Sequence, residues 1–547
     1  MILPSSFEAY TQQLMGTQLY DKFITGLNSQ QPTSIRINPF KIRQLLPSQT
    51  KPATQGQPKA NATTTSSTPD DTKATDATLA EDTAMSTLLV EGARRVPWCQ
   101  WSWYLPTRPS FTFDPLLHAG LYYVQESSSM FICEVVRQLI HTPVLMLDLC
   151  AAPGGKSTAL RTALPKGSML IANEPVKVRA SILTENVMKF GHADMMVTNN
   201  YPRDFQKAGV QFDAILADVP CSGEGMFRKD AEAIKEWSPD NVEHCWQLQR
   251  SIVEDIWPCL RPGGLLIYST CTLNAHEDEE NVAWIAQHLG ADVVALDINK
   301  DWSITGALTG HQPVCRFIPG LTPGEGLFMA VLRKHGESSP IKWNNSAKRS
   351  KDKPQRIDSI TQELANKSSH KHFYKSFNKN GKTFNKNAAQ SAIKAVSTQM
   401  QGCAQWLHGD FDLTTDNDLI RAIPTNWSAL YQQLKASLHI LHAGIEIGTI
   451  KGKDIVPTAS LALSVNLNLS AFPQAELSET DCISYLRHEA VALSSDIPRG
   501  FVLITYRHQP LGFVKNLGNR ANNLYPAEWR IRSSHTETAI SEVFNKL

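Results

Sequence analysis

The stretch VLMLDLCAAPGGKSTAL, residues 144–160, joins an apolar run to a turn of small residues and then to a helical pattern. The run predicts a buried strand, and the helix is predicted to begin near Lys156. Glycines in the turn let the backbone approach a ligand closely, and the free amide groups of a helix start can hold a carboxylate or phosphate. The stretch therefore indicates a ligand site, although a tight turn without a ligand fits the same residues.

Six further apolar runs follow the same pattern and are separated by helical segments. The seven runs span residues 144–149, 168–174, 194–200, 212–220, 263–271, 291–298 and 326–334. This alternation predicts an α/β fold in which a mostly parallel sheet has helices on both faces. Ligands bind beyond the carboxyl ends of the strands in such sheets, so we expect the functional residues there.

Composition limits the class of protein. The 547 residues are too many for one core, and 42% hydrophobic with 19% charged residues is ordinary for globular domains. Neither a signal peptide nor a membrane span is predicted. The ten cysteines form no CxxC pair and no cluster at zinc spacing, so we expect a cytoplasmic protein with free thiols and no metal.

Regions of different composition flank the α/β segment. We divide the chain into an N-terminal segment at 1–95, the α/β domain at 96–334, a basic linker at 335–395 and a C-terminal region at 396–547. An insert at about 48–86, rich in Thr, Ala, Ser and Pro, is predicted to be disordered.

The linker is strongly basic. Residues 341–394 carry 13 Lys or Arg against three acidic residues, although the whole chain has a net charge of only +1. Aromatic residues interleave with the lysines, which favours contact with phosphates and unpaired bases, and a solvated linker fits equally well.

The C-terminal region lacks the alternation of the α/β domain. It is predicted to be a separate small α+β or barrel module with an exposed basic rim. The rim comprises Arg499, Arg507, Lys515, Arg520, Arg530 and Arg532. We expect deletion of residues 396–547 to leave the ligand site of the α/β domain intact and to weaken any binding of nucleic acid.

Glu174 ends the second predicted strand, 19 residues after Gly155. A carboxylate at that place can accept hydrogen bonds from both ribose hydroxyls of an adenosine cofactor, either NAD or S-adenosylmethionine. The turn CAAPGGK departs from GxGxxG, which disfavours NAD. A surface glutamate without a role is the alternative.

Two cysteines follow neighbouring predicted strands, in Asp218-Val219-Pro220-Cys221 and in Thr270-Cys271. Carbon 5 of cytosine is a poor nucleophile, and its methylation needs a thiolate to add to carbon 6. An acid such as Asp218 can protonate ring N3, and a base must remove the carbon 5 proton. Each cysteine alone is more typical of a small buried hydrophobe, but the pair favours pyrimidine chemistry.

A family resemblance follows from four motifs: AGLYYVQESSSM, DLCAAPGGKST, FDAILADVPCSGEGMFRKD and LRPGGLLIYSTCTLNAHEDEENV. They resemble those of the Sun/nucleolar-protein family of RNA cytosine-carbon-5 methyltransferases. The C-terminal RGFVLITYRHQPLGFVKNLGNRANNLYPAEWRIR is similar to the PUA-like tail of bacterial RsmF-type members. The resemblance implies a Rossmann-like seven-stranded S-adenosylmethionine methyltransferase domain, an N-terminal RNA-binding segment and a C-terminal PUA-like α+β module.

The resemblance also implies a role for each matching residue. Cys271 is the attacking thiolate, Cys221 assists product release, Asp218 contacts the target base and the cofactor side of the pocket, and Lys156 also reaches the base. Glu174 holds the cofactor ribose. The methionine end of the cofactor lies on Cys150, Ala151, Ala152, Pro153, Gly154, Gly155 and Lys156.

One position departs from the family. Many members have an aspartate for the adenine after the third strand, where this chain reads VTNNYPRDF, so Asn200 is only a weak candidate.

The resemblance favours methylation of a specific cytosine in small-subunit (16S) ribosomal RNA by a monomer. The substrate is naked RNA or the assembled subunit. The alternatives are the same reaction on transfer RNA and a non-catalytic RNA-binding assembly factor, which would have no need of Asp218 and both cysteines. DNA cytosine methyltransferases share a Pro-Cys loop, but there that cysteine attacks.

Overall fold

A computed structural model of the chain describes residues 1–44, 84–337, 402–452, 454–533 and 543–545. The insert predicted at 48–86 lies outside these residues except for 84–86, which belong to a short helix over 84–88. The basic linker lies outside them from residue 338 onward. Across the described part of the chain, no helix is long and apolar enough to cross a membrane.

The N-terminal layer is an antiparallel sheet with the strand order β2-β3-β1-β4. Its elements are α1 (Ser5–Leu27), β1 (Thr33–Ile37), α2 (Pro39–Ile42), β2 (Arg94–Arg95), β3 (Ser102–Leu105), α3 (Pro115–His118) and β4 (Tyr122–Val124). Helix α1 is kinked at Gly16, where φ is 68°. The predicted domain boundary between residues 95 and 96 falls between two paired strands of this sheet.

A nine-stranded mixed sheet forms the centre of the molecule. Its first eight strands are β5 (Leu145–Asp148), β6 (Met169–Asn173), β7 (Met195–Thr198), β8 (Phe212–Asp218), β9 (Leu260–Thr270), β10 (Ala291–Val294), β11 (Cys315–Phe317) and β12 (Leu327–Lys334). All seven predicted strands are present, and β11 was not predicted. Strands β5 to β9 pair in parallel, whereas β12 is antiparallel to both β9 and β10.

Helices cover both faces of this sheet. They are α4 (Ile132–Leu139), α5 (Gly155–Ala163), α6 (Lys177–Phe190), α7 (Asp204–Lys207), α8 (Ala231–Glu236), α9 (Pro239–Ile256) and α10 (Glu279–Leu289). Side chains of β5 alternate between two hydrophobic clusters, Leu145 and Leu147 on one face and Met146 on the other. A parallel sheet buried on both faces explains why its strands read as continuous apolar runs.

The C-terminal region continues from the central sheet into two smaller four-stranded sheets. Its elements are β13 (Phe411–Asp416), β14 (Leu419–Pro424), α11 (Ser428–Lys435), β15 (Ile440–Ala443), β16 (Ile445–Lys451), β17 (Asp454–Pro457), α12 (Ala459–Leu463), β18 (Gln474–Glu476), α13 (Glu479–Leu486), β19 (Gly500–Tyr506), β20 (Gln509–Asn516) and β21 (Ala521–Asn523). The hairpin indicated by the sequence is the antiparallel pair β19 and β20.

The first part of the C-terminal region is not separate from the central sheet, contrary to the prediction, whereas the C-terminal α+β module forms a sheet of its own. Strand β15 pairs antiparallel with β7 and is the ninth strand of the central sheet. Leu430 and Leu434 of α11 are buried in the same hydrophobic cluster as Leu145 and Leu147. Deleting residues 396–547 would therefore uncover the core of the central sheet, so an intact ligand site is no longer expected of that truncation.

Candidate active site

The predicted site residues lie where β5, β6, β8 and β9 end. Parallel pairing aligns Asp148 of β5 with Ala172 of β6 and Leu216 of β8, and aligns Asp218 of β8 with Ser269 of β9. The loop over 150–156, Glu174, the Asp218–Cys221 segment and Cys271 therefore open from one edge of the sheet.

Side chains of α6 contact the loop after β5 and hold it in place. Gly154 is the N-cap of α5 and has φ 113°, a left-handed conformation that favours glycine. A Cβ on Gly154 would lie 3.1 Å from Leu183 Cδ1. Asn186 Nδ2 donates to Pro153 O at 2.7 Å, and Arg179 Nη2 donates to Ala152 O at 3.0 Å. These contacts fix a turn whose helix-start amides can hold a carboxylate.

Glu174 is a buried carboxylate with one oxygen that accepts no hydrogen bond. The residue is only 1% exposed, and its Oε1 accepts from the amide N of Val176 at 2.9 Å. Its Oε2 is buried without a hydrogen-bond partner, and the nearest cation, Arg179 Nη1, lies 3.6 Å away. An unpartnered buried carboxylate oxygen is costly, so this atom fits a site for ligand hydroxyls.

Asp148, the last residue of β5, was not among the predicted site residues. It is fully buried and accepts from Ser157 Oγ at 2.6 Å, while its Oδ1 has no hydrogen-bond partner. Burial is the main reason that the pKa of Asp148 is raised to about 7; the Ser157 hydrogen bond acts against this rise, and the nearby Asp218 carboxylate contributes to it. A polar residue ending an apolar strand directly before the glycine turn was the signal that could have found it.

Lys156 and Asp218 form an ion pair at the cleft. Lys156 Nζ lies 2.8 Å from Asp218 Oδ2, and both side chains remain partly accessible. Burial alone would lower the pKa of Lys156, but the adjacent Asp218 carboxylate raises it, and the net shift is upward. The pair therefore presents a protonated amine and a carboxylate side by side.

Cys221 and Cys271 are in direct contact, with their Sγ atoms 3.1 Å apart. The amide N of Cys271 also donates to Cys221 Sγ at 3.3 Å. The hydrogen bond from Cys221 lowers the pKa of Cys271, and the Lys156 ammonium group acts in the same direction. The same contact raises the pKa of Cys221, and so does burial. The geometry favours a thiolate at Cys271 with a protonated Cys221 beside it.

Asn200 is engaged elsewhere. Its Oδ1 accepts from the amide N of His439 at 3.1 Å, and its Nδ2 lies 3.2 Å from His439 O. Both polar atoms of this side chain thus bind the segment that leads into β15. This engagement argues against the expected adenine contact, and Asn200 is left out of the proposed cofactor site.

Arg36 and Asn38 belong to the N-terminal segment, for which the resemblance implies RNA binding, and they are 1% and 2% exposed. The guanidinium group of Arg36 donates to Gln125 Oε1 and to the Thr158 side chain of α5. Asn38 Nδ2 donates to backbone oxygens of Gly120 and Phe190. Both residues join the N-terminal sheet to the central domain, so their burial removes them from any RNA-facing surface.

The predicted basic rim is largely accessible. Arg499, Arg520, Arg530 and Arg532 are exposed. Lys515 is half-buried, with its Nζ 2.8 Å from Asp454 Oδ2.

The fold and site together define a Rossmann-like methyltransferase. Numbered along the chain, the seven predicted strands have the order 3-2-1-4-5-7-6, which is the doubly wound order 3-2-1-4-5-6 with an antiparallel strand inserted. A glycine turn follows the first strand, a buried acid follows the second, and a cysteine follows each of the fourth and fifth.

Matches to family models identify the group of methyltransferases that this chain resembles. Residues 141–333 match the 16S rRNA methyltransferase RsmB/F model, 71–127 match the N-terminal domain of 16S rRNA methyltransferase RsmF, and 472–531 match the methyltransferase RsmF PUA domain. The chain belongs to the Sun family as a bacterial RsmF-type member, and this family uses S-adenosylmethionine.

Similar proteins carry corresponding names. The chain is 28% identical over 441 residues to ribosomal RNA small subunit methyltransferase F of Escherichia coli O139:H28, covering 79% of this chain and 84% of the relative. It is 29% identical over 457 residues to the protein of that name from Shewanella loihica, covering 79% and 83%. Among solved structures, NSun6 from Pyrococcus horikoshii with SFG has 19% identity and a TM-score of 0.46, covering 61% of this chain and 99% of that one.

Proposed function

We propose that this protein transfers a methyl group from S-adenosylmethionine to carbon 5 of a cytosine in small-subunit ribosomal RNA, through a covalent bond to Cys271. The contact between Cys271 and Cys221 is the observation that carries the proposal. It supplies a nucleophile with a lowered pKa and a protonated thiol within reach of the same ring.

The reaction begins at Cys271. Its thiolate adds to carbon 6 of the cytosine and makes carbon 5 nucleophilic. As the bond forms, a proton passes from the Lys156 ammonium group through the Asp218 carboxylate, 2.8 Å away, to ring N3. This proton transfer offsets the negative charge that the sulfur brings to the ring.

Cys221 acts after methyl transfer. Once carbon 5 carries the methyl group, its hydrogen leaves as a proton to water, the bond between Cys271 and carbon 6 breaks, and the N3 proton returns through Asp218 to Lys156. The protonated Cys221 assists this elimination by donating a hydrogen bond to the departing thiolate, since the two sulfur atoms lie 3.1 Å apart. The ring then recovers its double bond, and Cys271 returns as a thiolate.

The residues at the strand ends fit S-adenosylmethionine, which when bound supplies the methyl group and a positive charge. Glu174 has an unpartnered oxygen for the ribose hydroxyls, and the loop from Cys150 to Lys156 has a helix start for the methionine carboxylate. Asp218 faces the same cleft. These residues bind and orient the donor.

Ribosomal RNA is favoured over transfer RNA by the names of the relatives and by the matching PUA domain. Stacking of a cytosine in a helix hides its carbon 6. The target cytosine must therefore be unpaired or flipped out when it reacts. The exposed arginines of the C-terminal module suit contact with RNA phosphates. We further propose a cytoplasmic monomer that acts without a metal, because one chain supplies the nucleophile, the acid and the release group.

The test is methylation of RNA with labelled S-adenosylmethionine, followed by mapping of 5-methylcytosine. Wild-type protein should label small-subunit ribosomal RNA at one cytosine, and Cys271→Ala should label none. Cys259→Ala is the matched control, because that buried thiol lies at the opposite end of β9 and should leave labelling unchanged. Labelling of transfer RNA alone, or of a base other than cytosine, would refute the proposal.

A further inference from the structure

A buried polar cluster joins the two segments that carry the cysteines. Two of its members, Ser222 and Glu224, follow Cys221, and the others follow Cys271. The cluster comprises Ser222, Glu224, Thr272, Asn274 and Glu277, each no more than 5% exposed. None of these side chains was a predicted site residue, and the mechanism above assigns none of them a step.

Asn274 is the centre of this polar cluster. Its Nδ2 lies 2.8 Å from Glu277 Oε1, 2.8 Å from Thr272 Oγ1 and 3.1 Å from Glu224 Oε1. Its Oδ1 accepts from the amide N of Glu277 at 2.9 Å. Ser222 Oγ lies 3.0 Å from Thr272 Oγ1, which adds a second link between the segments.

Each of the two carboxylates in the cluster accepts a hydrogen bond from the backbone of the segment that carries the other. Glu224, on the Cys221 segment, accepts from the amide N of Leu273 at 2.9 Å through Oε2. Glu277, on the Cys271 segment, accepts from the amide N of Ser222 at 3.1 Å through its own Oε2. The amide N of Gly225 donates to Cys271 O at 2.7 Å. These reciprocal bonds hold the backbone directly beside each cysteine.

We propose that Asn274, Glu224 and Glu277 are positioning residues that hold the Cys221 and Cys271 sulfur atoms in contact. The importance of that contact for catalysis rests on the function proposed above, but the contact itself can be measured without RNA. Glu277 acts on charge as well: its carboxylate raises the pKa of Cys221, after the larger effects of Cys271 and burial. A protonated Cys221 can then donate to the Cys271 thiolate.

The test uses the full-length protein with Asn274→Ala or Glu277→Gln. Diamide oxidises neighbouring thiols to a disulfide, so the rate of Cys221–Cys271 closure reports how the sulfur atoms are held. We expect closure at least about tenfold slower in both variants, because displacement of reacting groups by about 1 Å costs rate of that order or more. In Asn274→Ala, alkylation of Cys271 by iodoacetamide, followed by peptide mass spectrometry, should shift to higher pH, because the hydrogen bond from Cys221 that lowers the pKa of Cys271 is weakened.

Two variants keep the result interpretable. Glu280→Gln is the matched control, because that carboxylate is exposed and bonds His276, outside the polar cluster; it should close the disulfide at the wild-type rate. If Asn274→Ala does not fold, Thr272→Val removes one hydrogen-bonding group of the cluster with little change in volume. Wild-type rates of closure and wild-type alkylation profiles in the folded variants would overturn the proposal, whatever the RNA assays show.

Discussion

The sulfur atoms of Cys221 and Cys271 lie 3.1 Å apart at the ends of two neighbouring parallel strands. Two thiolates at that distance would repel each other strongly, so ionisation of one thiol disfavours ionisation of the other. The hydrogen bond from Cys221 lowers the pKa of Cys271, and the Lys156 ammonium group acts in the same direction, which favours the negative charge there. The two cysteines thus have different roles because their surroundings differ.

Cofactor binding should depend on Glu174. Glu174→Ala removes the buried carboxylate with the unpartnered oxygen, and hydrogen bonds to a charged group contribute about 1.5–3 kcal/mol each. We expect S-adenosylmethionine to bind at least about tenfold more weakly by titration calorimetry. Glu185→Ala, on α6 and paired with Lys189, is the control. Equal affinities for the Glu174 variant and wild type would remove Glu174 from the site.

Asp148 should make stability depend on pH. Burial raises its pKa from 3.8 to about 7, so the folded state keeps a proton that the unfolded chain loses over this interval. The resulting stabilisation is complete below about pH 4 and is lost as the pH rises to about 7. Urea denaturation of the cofactor-free protein should therefore show wild type losing stability relative to Asp148→Asn across that range. Parallel curves for the two proteins would contradict this account; Asp204→Asn is the control.

Gly225 allows the two cysteine segments to approach. A Cβ at this position would lie 2.5 Å from Gly326 O and 2.7 Å from Cys271 O, both backbone atoms. Gly225→Ala must displace Cys271, so we expect loss of methylation and destabilisation of about 1–3 kcal/mol. Gly306→Ala is the control, because nothing lies within 4 Å of its Cβ position. Full activity in the Gly225 variant would show that the segments can separate without harm.

Helix α11 should stabilise the methyltransferase domain although it lies in the C-terminal region. Leu434 is fully buried in the central hydrophobic cluster. Leu434→Ala should cost about 2–5 kcal/mol in the free energy of unfolding. The exposed neighbour Gln432 provides the control, Gln432→Ala. A change confined to a separate unfolding transition of the C-terminal module would argue that α11 does not support the central core.

The sequence predicted the central domain well because its physical signals are local. Each buried strand is a short continuous apolar run, and each helix shows helical spacing, so all seven predicted strands formed. Strand β15 was missed because residues 440–451 read as one apolar stretch, which Gly444 divides between two sheets with a φ of 61°. Pairing of β15 with β7 depends on contacts about 240 residues apart, which no local pattern records.

The sequence motifs predicted the reactive residues of the candidate site. They did not predict the residues that hold those reactive residues in place. Cys221, Cys271 and Asp218 end strands, where parallel pairing brings side chains together. The carboxylates of Glu224 and Glu277 bind backbone amides across two loops, and a sequence does not show which amides those are. For the same reason the sequence did not show that Asn200 binds the backbone of His439, which is far along the chain.

The central claim, that Cys271 attacks and Cys221 releases, is tested most directly by trapping the covalent complex. Small-subunit ribosomal RNA and S-adenosylmethionine are incubated with wild type, Cys221→Ala or Cys271→Ala, and protein–RNA adducts are separated on a denaturing gel. The account predicts that Cys221→Ala accumulates an adduct carrying a methylated cytosine and that Cys271→Ala forms none. An adduct formed by Cys271→Ala, or its absence from Cys221→Ala, would contradict the assignment of the two thiols.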